Sequence, residues 1–318
     1  MDHKNNTPRN YIFKLQKGGY NKCLEPAEMC TNRAIRAHSI QNRQILERLQ
    51  RNGHVIMPIT TLDLDSGPEI EFKLIGRNKA TTFTGLCSEH DRKLFASIET
   101  EQIDTNNPLH LFLLAYRAVL KETHAVMEGA LKNQLAYQKK VDVGLVSGEM
   151  PTANGLRTTA FLINSYETYL YKREFDQIHL NNDYNKLQHY IIKISNAEPS
   201  IAVNTLFTPA DNIQNQKNTE RIALNIFPTS EGTTIIFSYL ARDENFVQPH
   251  LRDILRAKKQ YRCYLISKLV LRNCENFVIA PSYFDSIPEE SQEAMIEYFK
   301  KTNSRDLLEY EDKRLYLF

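Results

Sequence analysis

The sequence predicts an α+β protein: a basic, metal-stapled N-terminal module, then a helical hairpin, then an antiparallel sheet with helices. Three observations carry this. Cysteines and positive charge gather before residue 96, helical periodicity starts near Asn107, and β-branched runs recur between residues 187 and 240. The divisions expected from these shifts are residues 1–100, 101–180 and 181–318.

The first segments are short. Residues 40–51 (IQNRQILERLQR) read as an amphipathic helix, with Ile45, Leu46 and Leu49 opposite Arg43, Arg48 and Arg51. Two extended runs, 53–58 and 70–75, flank a turn-rich Asp-Leu-Asp-Ser-Gly-Pro. Segments this short bury little apolar surface, and small domains of this kind need a metal or another staple. Asn107 is a plausible N-cap, with Pro108 in the first turn of a helix expected to reach about Lys140. The stretch 144–155 (GLVSGEMPTANG) breaks it, and a second helix is expected to run to about Ile178. Strands follow at 187–195, 201–207, 221–227 and 233–240, the last two joined by a five-residue loop, Pro-Thr-Ser-Glu-Gly. Helical pattern returns at 247–273, an apolar strand is expected within 276–285, and Ser286-Ile-Pro-Glu-Glu opens a final helix.

Composition narrows the function classes. The chain has 318 residues, 40 Lys and Arg against 38 Asp and Glu, and a formal charge of +2. That total hides an imbalance: residues 1–95 hold 15 basic and 10 acidic side chains, the remainder 25 and 28. No apolar run approaches the ~18 residues of a membrane span, so no membrane partner is expected. The polar start, MDHKNNTPRNYIF, lacks a signal peptide's apolar stretch. Five cysteines, an odd number, argue against a disulfide framework. A cytoplasmic protein is expected.

The chemistry-bearing pattern is Cys23-x6-Cys30 followed by Cys87-x2-His90. Tetrahedral zinc takes four such ligands, and closely spaced pairs let two knuckles converge on one ion. The bland reading is one or two buried thiols and a surface histidine. Cys263 and Cys274 have no partner at ligand spacing and read as packed thiols. Arg33, Arg36, Arg43, Arg48 and Arg51 stand in a stretch whose only acid is Glu47, with Arg77 and Lys79 further on. Guanidinium forks suit phosphate oxygens, so these side chains are candidates for nucleic-acid contact; the plain alternative is a solvated helix face. There is no P-loop and no G-x-G-x-x-G. A Ser238, His250, Asp253 triad has no nucleophile-elbow sequence behind it.

Taken together, Cys…Cys, Ala37-His38-Ser39-Ile40 and Gly85-Leu-Cys-Ser-Glu-His-Asp91 resemble the ββα-metal, or HNH, treble-clef arrangement. AHSIQN, GHV and TFTGLCSEHDRKLF are also similar to a set of bacterial proteins associated with defence-type loci, over about residues 20–100. The resemblance implies a structural zinc on Cys23, Cys30, Cys87 and His90. It implies His38 as the general base of a phosphodiester-cleaving nuclease, Asp91 as a helical ligand for catalytic Mg²⁺ or Mn²⁺, and Asn78 as the family's middle Asn. An antiviral defence role would follow. Two departures stand out: Ala37 occupies a position where the family commonly carries an acid, and His38 lies 49 positions before Cys87. His38 therefore stays open between base, zinc ligand and packed core histidine. The rival reading is a non-catalytic interaction or sensor protein. In it zinc only scaffolds, and the C-terminal half binds a partner protein, a ligand or a second copy.

Overall fold

The computed structural model describes residues 19–63, 67–149, 151–195, 198–209, 220–303 and 310–318. The fold is mixed α+β with antiparallel strand pairing. Its elements in order are β1 (Ala37–His38), β2 (His54–Asp63), β3 (Gly67–Gly76), β4 (Thr82–Phe83), α1 (Ser88–Thr100), α2 (Pro108–Asp142), α3 (Ala153–Asn181), β5 (Leu187–Ile194) and β6 (Ile201–Phe207). They continue with β7 (Ile222–Thr229), β8 (Gly232–Leu240), α4 (Glu244–Arg256), α5 (Lys259–Asn273), β9 (Phe277–Ile279), α6 (Pro281–Ser286) and α7 (Glu289–Asn303). The chain forms two compact units, and neither is a continuous stretch. The first comprises Met1–Ala37, Phe83–Leu94 and Val119–Asn182; the second comprises His38–Thr82, Phe95–Ala118 and Asp183–Phe318.

The second unit is built on a seven-stranded sheet of order β3-β2-β9-β6-β7-β8-β5. Every residue of β6 is buried, as expected of a strand covered on both faces. On one face, Ile201, Leu224, Ile235 and Phe277 belong to a core shared with Val247, Leu251, Ile266, Val270, Met295 and Tyr298 of the C-terminal helices. Towards the other face, the Asn204 amide donates to the Leu114 carbonyl of α2 at 3.3 Å. The first unit is organised on α3 and the later part of α2, where Gly129 lies against Phe161 and Gly155 against Tyr137.

Several expectations change here. The strands 53–58 and 70–75 do not stay in an N-terminal module. They form a hairpin of two ten-residue strands that enters the large sheet through β9, with Ile56 opposite Ile279. The division at residues 100 and 180 therefore does not match the compact units. The expected helix over 40–51 reduces to a π-helical turn at Asn42–Leu46 and a single α-turn at Glu47–Leu49. Asn52 and Gly53 follow with φ of 52° and 75°. Arg51 and His54 exchange backbone hydrogen bonds at 2.9 and 3.0 Å. Asn-Gly with both φ positive is a type I′ hairpin turn, and it stops the helix. The β7–β8 loop is Ser230-Glu231 alone, because Pro228, Thr229 and Gly232 are already paired in the ladder; Gly232 takes φ 138° there. The apolar run 276–285 is strand only at Phe277–Ile279, and Pro281 then starts a short helix.

Candidate metal centre

The four expected ligands come together in the first unit. The ligand atoms of Cys23, Cys30, Cys87 and His90 all lie within 4.8 Å of one another, close enough to hold a metal ion. Cys30 Sγ and Cys87 Sγ are 3.8 Å apart; His90 Nδ1 stands 3.6 Å from Cys23 Sγ and 3.3 Å from Cys87 Sγ. These separations are far longer than the ~2.05 Å of a disulfide bond, and all three cysteines are free thiols. Among the described residues, no second group of three His, Cys, Asp or Glu side chains converges in this way.

Backbone bonds explain why distant segments meet. The Leu24 amide donates to the Gly85 carbonyl at 2.8 Å and the Ile35 amide to the Leu86 carbonyl at 2.8 Å, tying the two cysteine segments together on both sides. Gly85 is required by space: a Cβ there would lie 2.3 Å from the Phe83 ring. Ser88 then begins α1, so His90 sits in its first turn. The approach to Cys23 is held by His124, whose ring hydrogen-bonds the Tyr20 carbonyl at 2.9 Å, and burial lowers the basicity of that imidazole.

Glu25 closes the wide x6 gap. It is buried, and its carboxylate accepts the backbone N–H groups of Ala27 at 2.8 Å, Met29 at 2.5 Å and Cys30 at 3.0 Å. Glu28 takes φ 58° at the apex. Burial works against the Glu25 carboxylate, yet those N–H groups outweigh it and keep its pKa below the ordinary value. The spacing of the cysteines did not single out Glu25. The available signal was an acid set two positions after a cysteine and just before a proline turn, where a carboxylate can collect the amides of the loop.

Among the thiols, burial pushes Cys23 up to about 12. Burial also raises Cys87, but the His90 amide and the Cys30 and Cys23 thiols overcome it and bring Cys87 to about 7.

The other expected site residues distribute as follows. His38, in the second unit, is half-buried, with Nε2 3.0 Å from the Arg77 carbonyl, and is not among the metal-site ligands. Asn78, next to Arg77, accepts from Asn42 at 3.0 Å. Asp91 belongs to the first unit, and its amide donates to the Cys87 carbonyl at 2.9 Å. Ala37 is buried. Arg33, Arg36, Arg43, Arg48 and Lys79 are exposed. Arg51 pairs with Asp285 at 2.5 Å and Arg77 pairs with Glu47. Cys263 and Cys274 are buried, as expected of packed thiols. Ser238, offered on paper to His250, instead lies opposite His189 on β5, Oγ to Nδ1 2.8 Å. No helix among the described residues is long and apolar enough to cross a membrane.

Comparison with known proteins returns no matching family model, no matching curated protein and no matching solved structure.

Proposed function

We propose that the protein is a zinc-stabilised, nucleic-acid-binding protein whose Cys23, Cys30, Cys87 and His90 hold one structural zinc in an HNH-like treble clef. The observation that carries this reading is the spacing of the quartet. Sulfurs bonded at ~2.3 Å to a tetrahedral zinc stand ~3.8 Å apart, and sulfur and nitrogen ~3.6 Å apart. The measured separations of 3.8, 3.6 and 3.3 Å fit that frame. Four protein ligands close the coordination shell, which favours a scaffold role over a catalytic one. Support for nucleic acid comes from Arg33, Arg36, Arg43, Arg48 and Lys79, exposed and without an ion pair to another described residue. Such cations are available to phosphate oxygens.

A second reading, phosphodiester hydrolysis, rests on one observation. His38 Nε2 is held by the Arg77 carbonyl, which would leave Nδ1 free to accept a proton from water. The residues do not fit the Mg²⁺ or Mn²⁺ that this chemistry uses in the HNH family. Ala37 supplies no side-chain oxygen, and no second ligand cluster forms among the described residues.

Elemental analysis of purified protein should give one zinc per chain, and its absence would remove the proposal's basis. Fluorescence anisotropy with single- and double-stranded DNA and RNA over a salt series should show binding that weakens steeply as salt rises. Arg36→Glu with Arg43→Glu and Arg48→Glu should abolish it. Cleavage with Mg²⁺ or Mn²⁺ that disappears in His38→Ala would turn the assignment to the second reading.

A further inference from the structure

We propose that α3 is the contact by which two copies of this chain pair, antiparallel, through a coiled-coil seam. This inference does not depend on zinc or nucleic acid. The helix is 29 residues long, and its buried side, carrying Thr168, Tyr171, Lys172 and Phe175, faces its own unit. The opposite side mixes Thr159, Arg173 and Gln177 with more large apolar side chains than a solvent-facing side selects. Leu156, Ile163, Tyr166, Leu170 and Leu180 are 41–65% exposed there. Leu156, Ile163 and Leu170 recur every seven residues, and Tyr166 and Leu180 fall on the companion row three positions on, the a and d rows of a heptad. A helix face turned to solvent typically carries charged and polar residues, so a seven-residue apolar recurrence there suits contact with a second helix.

The size suits a specific pairing. With half-exposed Leu162 alongside, these side chains present roughly 650 Å² per copy, above the ~300–600 Å² of an ordinary monomer's largest patch. Complete coverage of these side chains in both copies would bury about 1,300 Å², the low end of the range for stable interfaces.

The residues also select the partner and its direction. Arg173 occupies a d position. In a parallel pair it would face the partner's Arg173, a like-charge contact in the seam. An antiparallel pair centred on Thr168 sets Leu156 against the partner's Leu180, Leu170 against the partner's Tyr166, and Ile163 against the aliphatic stem of the partner's Arg173. Each a residue then meets a d residue, and each Arg173 lies one helical turn from the position opposite the partner's Glu167. The seam is self-complementary, as a twofold contact between identical chains must be.

Sedimentation of the full chain over a hundredfold concentration range should give twice the 36.9 kDa chain mass. Ile163→Glu with Leu170→Glu should weaken the dimer by at least a hundredfold while leaving zinc content and circular dichroism unchanged. Mixed Leu156→Cys and Leu180→Cys chains should crosslink to each other through those positions, identified by peptide mass. A monomer at every concentration would overturn the proposal, as would a dimer untouched by the double Glu variant. Self-crosslinking of Leu156→Cys would overturn the antiparallel register. A monomer that dimerises only after residues 1–18 are removed would assign the seam to that segment and equally refute the proposal.

Discussion

Removing the Glu25 carboxylate should cost the metal centre about two orders of magnitude in affinity. The loop from Glu25 to Cys30 is held by three N–H groups converging on one buried carboxylate. Hydrogen bonds to a charged group contribute about 1.5–3 kcal/mol each, and orphaned buried donors add to the loss. Part is recovered, because water can reach the amides once the loop opens and the carboxylate's desolvation is no longer needed. A net loss of about 3 kcal/mol is the outcome. A protein that must order this loop as it binds metal shows that loss as metal affinity, and ~1.4 kcal/mol is tenfold. Competition with a chromophoric chelator at fixed pH should therefore find Glu25→Ala about 100-fold weaker than the parent, with Glu25→Gln between them. Glu89→Ala is the control. Glu89 forms an exposed pair with Lys93 at 2.6 Å beside His90, and such pairs contribute little. If Glu25→Ala bound zinc within threefold of the parent, the carboxylate would not be what folds the x6 gap.

Three further outcomes follow from the packing. Gly85→Ala places a methyl 2.3 Å from the Phe83 ring, so it should lower stability by about 1–3 kcal/mol or more, read as a drop in the urea midpoint. The Lys172–Asp176 pair, 2.7 Å apart with both side chains buried, should respond asymmetrically. Asp176→Ala alone should cost ~3–5 kcal/mol, and Lys172→Met with Asp176→Leu should come close to neutral; equal losses in thermal melts would contradict this. Burial holds His189 neutral, its pKa lowered to about 4. Between about pH 6.5 and 4 the unfolded chain then binds the extra proton, so stability falls with falling pH, by ~3 kcal/mol in all. His189→Gln should flatten that part of the stability profile relative to the parent, and an unchanged slope would assign the acid sensitivity elsewhere.

Local patterns in the sequence were reliable where local physics decides the outcome. The alternation and β-branching of residues 187–240 predicted four strands that form within two residues of their expected ends. Cys87-x2-His90 was legible as a pair of ligands at knuckle spacing, and both side chains do join the cluster. The Cys23 and Cys30 pairing was also readable as a pattern, though its means of closure was not, since an acid before a proline turn is a weak mark beside the cysteine spacing. The helix expected over 40–51 failed for a legible reason: Asn52-Gly53 is a strong turn signal, and it overrides helical periodicity in the residues before it. The attachment of the 54–76 hairpin to the C-terminal sheet was not legible at all. It is carried by Phe277–Ile279, three residues more than two hundred positions away, and no window of sequence contains both partners.

The interleaved order of segments sets a timetable for synthesis. All residues of the metal-binding unit have been made once Asn182 is added, whereas β2 and β6 cannot be joined until β9, about a hundred residues later. At ~5–20 residues per second that interval lasts roughly 5–20 s. During it the unit that carries the Cys23, Cys30, Cys87 and His90 cluster is already complete, while the early hairpin waits with β2 unpaired along the edge that β9 will occupy. An open strand edge is a template for wrong pairing, so until β9 is made the nascent hairpin presents the edge of β2 to other strands.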